Sequence, residues 1–181
     1  SDYLDCQWIQ KLHSLGLLNG SFRPDGEMVA LRGYLRHRAM LLAHRAPHIL
    51  HMQKALQQMN LQLHHVLSDI TGETGLLILR AMVAGERDPV KIAQHRNPAC
   101  KSSEETIAQA LTGSWKAEHL FTLRQSLELY DFYTQQVTAC DAEIEKQYSA
   151  MKPRWDGPEE SPDIPRVKPG SKSKNQPKLN V

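Results

Sequence analysis

The chain has 181 residues, 40% apolar and 23% charged, which suits a soluble globular protein of one domain, or one domain with a tail. Aromatics make up only 6%, and Gly and Pro total 20, too few for a β-sandwich or barrel. Net charge is +2, and Cys6, Cys100 and Cys140 have neither disulfide-scaffold nor zinc-finger spacing. No run reaches the ~18 apolar residues of a membrane span, and no signal peptide is visible. The chain opens on helix-like sequence without Met and reads as a piece of something longer.

Taken in chain order, the pattern is all-α. Asp2 to Leu15 forms a first helix, with Leu4, Trp8, Leu12 and Leu15 on one stripe. Gly16 to Arg23 is a loop, and a second helix starts near Pro24 with Asp25 and Glu27 favourably placed in its first turn. Met28, Leu35, Leu42, Ile49 and Leu56 recur every seven residues. Leu31, Arg38, Arg45, Met52 and Met59 make the matching register, so the spacing predicts a coiled coil with two arginines in its seam. Pro47 is expected to kink this helix or end its first half.

A turn at Thr71 to Gly75 precedes short helices at about 75–84 and 89–96, the second opened by Asp88-Pro89. Ser102 with Glu105 reads as a capping box for a helix ending near Gly113. A last helix runs from about Lys116 to Tyr148, with Leu123, Tyr130, Val137 and Ile144 every seven residues and Leu120, Leu127, Thr134, Asp141 and Tyr148 interleaved. The simplest architecture is an antiparallel pair of long helices with a short-helix cap, or the same surfaces used between two chains. Six of the ten prolines fall past Lys152, and this Pro- and Lys-rich segment reads as a disordered linker.

Charge is segregated. No Asp or Glu occurs from Met28 to Ser68, where Arg32, Arg36, Arg38, Arg45 and Lys54 stand among six histidines. From Glu104 to Glu145 acids dominate. An acid-free helix forgoes i, i+4 ion pairs, which points to a polyanion partner; alternatively, the acidic helix complements it inside the fold. His44, His48 and His51 lie at i, i+4 and i+7, a spacing open to a metal but better suited to solvated or phosphate-facing histidines. Asp2 and Asp5 share one face of a first turn, where they could hold divalent metal or simply complement the helix dipole. The cysteines are expected to be buried, and Trp8 and Trp115 to anchor the core. No Gly-rich phosphate loop, GxSxG elbow or HExxH motif occurs.

The opening Ser1-Asp2-Tyr3-Leu4-Asp5-Cys6-Gln7-Trp8 resembles the closing acidic motif of the DEDD insertion-sequence transposases, the bridge-RNA-guided recombinases. The resemblance continues through GLLNGSFRP (16–24), LRGYLRHRAMLLAHR (31–45), MQKALQQMNLQL (52–63), VLSDITGETG (66–75), AGERDP (84–89) and ALTGSWKAEHLFTLRQSLELYDFY (110–133). It implies that residues 1–23 end a RuvC-like nuclease domain, 24–150 form a helical coiled-coil region, and 151–181 lead toward a C-terminal serine domain outside this sequence. Asp2 and Asp5 match the last two of the family's four acids, which implies catalytic and metal-binding roles with Mg²⁺ in an intact DNA transposase. The family's other two acids have no counterpart here, so the chain alone is expected to be inactive. DNA, a guide RNA and a second copy of the chain are the implied partners, no membrane is implied, and a cytoplasmic, nucleoid-associated location goes with them. Arg32, Arg36, Arg38, Arg45 and Lys54 are the expected nucleic-acid contacts. The competing expectation is a non-catalytic helical module that binds nucleic acid and dimerises.

Overall fold

The computed structural model describes residues 2–18 and 26–151. The expected helix start near Pro24 and the expected linker past Lys152 lie outside the described residues. Within them every regular element is a helix: α1 (Asp2–Ser14), α2 (Gly26–Gln58), α3 (Leu63–Val66), α4 (Glu73–Ala84), α5 (Pro89–Ala93), α6 (Glu104–Ala110) and α7 (Ala117–Ala150).

The local signals that start and stop these helices act through the backbone. Asp88 accepts from the Val90 amide at 3.0 Å, and Pro89 occupies the first turn of α5, where its missing N–H costs nothing. The cap of α6 is Ser103, whose hydroxyl accepts from the Thr106 amide at 3.2 Å. Ser102, expected to be that cap, instead donates to the Val66 carbonyl at 2.5 Å and ties α3 to the α6 approach. Two adjacent serines offer the same chemistry, and the tertiary partner decided between them. α4 ends at Gly85, whose φ of +109° lets the chain turn left-handed while its amide reaches back to Met82. α5 stops at Ala93 and α6 at Ala110, each shorter than its sequence pattern. Leu63–Val66 is a helical turn that the sequence pattern does not announce.

α2 runs unbroken through Pro47. The proline removes one backbone donor, but packing against α7 on both sides of it holds the helix together, so the expected termination does not occur. The two long helices run antiparallel. Arg38 pairs with Asp141, Arg45 donates to Thr134 at 3.4 Å, and Cys140 Sγ reaches the Tyr34 carbonyl at 3.6 Å. Leu123, Tyr130, Val137 and Ile144 of α7 are all buried. The α2 row Leu31, Arg38, Arg45 and Met52, continued by Met59 just past the helix, is buried or half-buried throughout. In the companion row Leu56 is buried and Met28, Leu42 and Ile49 are half-buried, whereas Leu35 is exposed and the adjacent Leu41 and Ala55 are buried. The apolar stripe straddles two adjacent rows because α2 meets α7 on one side and the cap on the other.

The main core lies where the cap meets the long helices. Met52, Leu56, Met59 and Leu61 pack with Ile78, Leu79, Met82, Ile92, Ile107, Leu111, Leu123 and Leu127. Two close approaches require glycine: a Cβ at Gly75 would collide with the Ile70 carbonyl, and one at Gly113 with the Met59 carbonyl. A second, smaller cluster of Leu41, Val137, Cys140 and Ile144 fills the far end of the pair. No residue of α1 is buried; Trp8 is 59% exposed, so it does not anchor the core, whereas Trp115 packs against the main cluster. Cys140 alone of the three cysteines is buried, Cys100 is half-buried and Cys6 exposed. α1 is amphipathic but has no core partner among the described residues, which overrides the sequence expectation for Trp8 and Cys6.

Candidate nucleic-acid interface and acidic helix start

The five cations of the acid-free helix divide into two groups. Arg38 is 6% exposed and forms a two-pronged contact with the Asp141 carboxylate, Nε to Oδ1 and Nη2 to Oδ2 at 3.3 Å. Arg45 is half-buried, donates to the Thr134 hydroxyl and lies 5.4 Å above the Tyr130 ring. Both side chains are held in the seam by their contacts with α7, and Arg38 is withdrawn from any outer partner. Arg32, Arg36 and Lys54 are exposed. Complementation inside the fold accounts for the inward charge of Arg38, which meets an acid of α7, while the charge of Arg32, Arg36 and Lys54 faces solvent.

The acids of α7 near this helix are also engaged. Asp141 belongs to Arg38, and Asp131 turns to Arg80 of α4 at 3.0 Å. The other flank of α7 carries Leu129, Phe132, Tyr133 and Gln136, with Glu128 one turn before Phe132 and Glu143 two turns beyond Gln136. His44 and His48 of α2 lie against this flank, with ring centroids 5.9 and 5.6 Å from Tyr133 and planes within about 21° of parallel. His48 also meets the His51 ring at 5.8 Å, and Tyr133 meets Phe132 edge-on at 5.5 Å. Burial, then the neighbouring His51, hold the His48 imidazole below its ordinary value of 6.5. Its Nδ1 is enclosed without a hydrogen-bond partner. The three histidines thus meet aromatic rings. The seam is also unfavourable to a thiolate: burial, then Asp141, push the Cys140 thiol up.

Asp2 and Asp5 sit in the first turn of α1, exposed, with Lys11 and His13 in the last turn. No group of three or more His, Cys, Asp or Glu side chains able to hold a metal occurs among the described residues. The donor chemistry of the two carboxylates fits magnesium, which binds proteins through one or two carboxylates and otherwise keeps water or phosphate oxygens. A two-metal centre needs more oxygen ligands than this pair supplies.

Sequence reasoning missed two features. The ring series at His44, His48, His51, Phe132 and Tyr133 was half-visible in the histidine spacing, but the α7 members join only through tertiary contact. An open cleft of about 760 Å³ lies between α3, the start of α4 and the 97–102 loop, lined by His64, Glu73, Asn97, Lys101 and Ser102 among others. Arg96 shapes its wall by donating to the Ser102 carbonyl at 2.5 Å and the Cys100 carbonyl at 2.7 Å. No helix of the described residues is long and apolar enough to cross a membrane. Comparison with family models, with curated proteins and with solved structures finds no match to this chain.

Proposed function

We propose that the chain is part of an RNA-guided DNA transposase of the DEDD type and that its helical region is a nucleic-acid-binding and dimerisation module. The observation that carries the reading is the sorting of charge on α2. Arg32, Arg36 and Lys54 stay exposed on a helix with no acid from Met28 to Ser68, while Asp141 is consumed by Arg38. A surface with unneutralised cations and no interleaved acids favours a phosphate backbone. α2 and α7 act in this reading as an antiparallel coiled coil, and Val29, Met40 and Leu50, exposed on the outer face of α2, support docking of a second copy. In the intact enzyme Asp2 and Asp5 would supply two of the carboxylates around Mg²⁺, and the isolated chain would not cut DNA. Its own two acids can attract and position a cation but cannot complete the ligand set. A non-catalytic module with the same binding surface is the alternative reading, and exposure of both acids at an unburied helix start is compatible with it.

The experiment is a salt titration of binding to a DNA or RNA duplex. Three phosphate-facing cations predict a log–log slope of about −2.7, against about −4.5 were all five engaged. Replacing Arg32, Arg36 and Lys54 together with Gln should bring the slope close to zero without loss of helicity. A slope that survives this triple change would remove α2 from the interface.

A further inference from the structure

The rings between α2 and α7 do more than fill space. Four histidines of α2, His37, His44, His48 and His51, follow one another at intervals of seven, four and three residues, which places them along a single flank of the helix. Tyr133 stacks with the middle two, and Phe132 extends the series from α7. Much of the series is accessible: His37, His44 and His51 are exposed, and Phe132 is 50% exposed. Phe132 is half in water beside Tyr133, so part of its ring is open to a partner. No acid occurs along this stretch of α2; on α7, Asp131, Asp141 and Glu143 pair with Arg80, Arg38 and Lys146, and Glu128 stands one turn from Phe132. Arg36 and Lys54 bracket the series, about 27 Å apart along the helix axis.

We propose that this flank binds single-stranded nucleic acid, with unpaired bases stacking on Phe132, His44 and His51 while Arg36 and Lys54 follow the phosphates. The inference rests on the reading of α2 as a phosphate-facing helix and adds to it the state of the strand. Single-strand sites combine rings that stack bases with cations that follow the backbone, because every unpaired base presents a π-face. In a duplex those faces are covered by neighbouring bases, so the rings would have nothing to stack on and only the cations would contribute.

The test uses the full 181-residue chain and a fluorescently labelled 15-nucleotide RNA of mixed sequence, alone and annealed to its complement, in anisotropy titrations at one fixed salt concentration. The single strand should bind more tightly than the duplex. Phe132→Ala and His44→Ala should each weaken single-strand binding by about fivefold or more and leave duplex binding unchanged. Phe132→Leu, which keeps apolar bulk without a π-face, should behave like Phe132→Ala. Both sites are exposed, and circular dichroism should show unaltered helicity. Equal affinity for both forms, or full single-strand binding by Phe132→Ala, would overturn the stacking surface while leaving the phosphate reading in place. Failure of the unmodified chain to bind either form would overturn both.

Discussion

The two ends of the α2–α7 pair are joined by different chemistry. Near the cap, Met52, Leu56, Leu123 and Leu127 merge into a continuous apolar core with α4, α5 and α6. At the far end, four buried residues share the seam with the Arg38–Asp141 pair, the Arg45–Thr134 bond and the contact of Cys140 with the Tyr34 carbonyl. The first end gains most of its stability from removal of apolar surface from water, which is non-directional. The second gains less from burial, but its polar contacts are satisfied in one alignment only. An ion pair here costs desolvation and returns specificity of register, so it would penalise any sliding of α7 along α2. One pair of helices therefore carries a stabilising half and an aligning half.

Substitutions should separate the halves. The largest effect is expected in the cap: Leu79→Ala, at a fully buried site, should lower unfolding free energy by about 3–5 kcal/mol. Leu41→Ala, the equivalent change at the far end, should cost at least about 1 kcal/mol less, because its site is on the rim of a small cluster. Equal losses in urea melts would abolish the distinction. Asp141→Asn comes next. Leaving the Arg38 guanidinium buried without its counter-ion should cost about 3 kcal/mol, whereas the double change Arg38→Met with Asp141→Leu should recover most of the stability. If the register argument holds, the recovered double variant should show mixed α2–α7 alignments in cross-linking between engineered cysteine pairs, and a single alignment would refute it.

The smallest effect is that of pH. His48 at the far end and His64 beside the cap are both held below 6.5, by burial first and then by His51 and His65 respectively. A lowered folded value means the unfolded chain takes up the proton first as pH falls. Their contribution is therefore complete above pH 6.5 and declines as pH drops through that value toward the folded ones. Urea midpoints should fall between pH 7.5 and 5.5, and His48→Gln should shrink that fall. Glu86 and Glu105 add a separate loss at lower pH. The backbone amides of Asp88 and Arg87 hold the Glu86 carboxyl down, and Glu105's own amide with the Ser103 hydroxyl does the same for Glu105, so both act below 4.5. A midpoint that is flat from pH 7.5 to 5.5 would show that neither histidine is enclosed as described.

What the sequence determined by itself is the part of the fold written in short-range chemistry. Helix content, the Asp88-Pro89 start and the buried row of α7 follow from apolar spacing and capping within a few residues, and they are seen in the structure. Tertiary contact decided what depends on a distant partner. Ser103 caps α6 because Ser102 is taken by Val66, 36 residues away. α2 passes through Pro47 because α7 supports it on both sides. Arg38 and Arg32 look alike in sequence, yet one meets a carboxylate 103 residues away and the other faces water. Trp8 has the spacing of a core residue, and no described element covers it. Local propensity is a sum over neighbours in the chain, whereas burial and ion pairing are fixed by which surfaces the folded chain brings together.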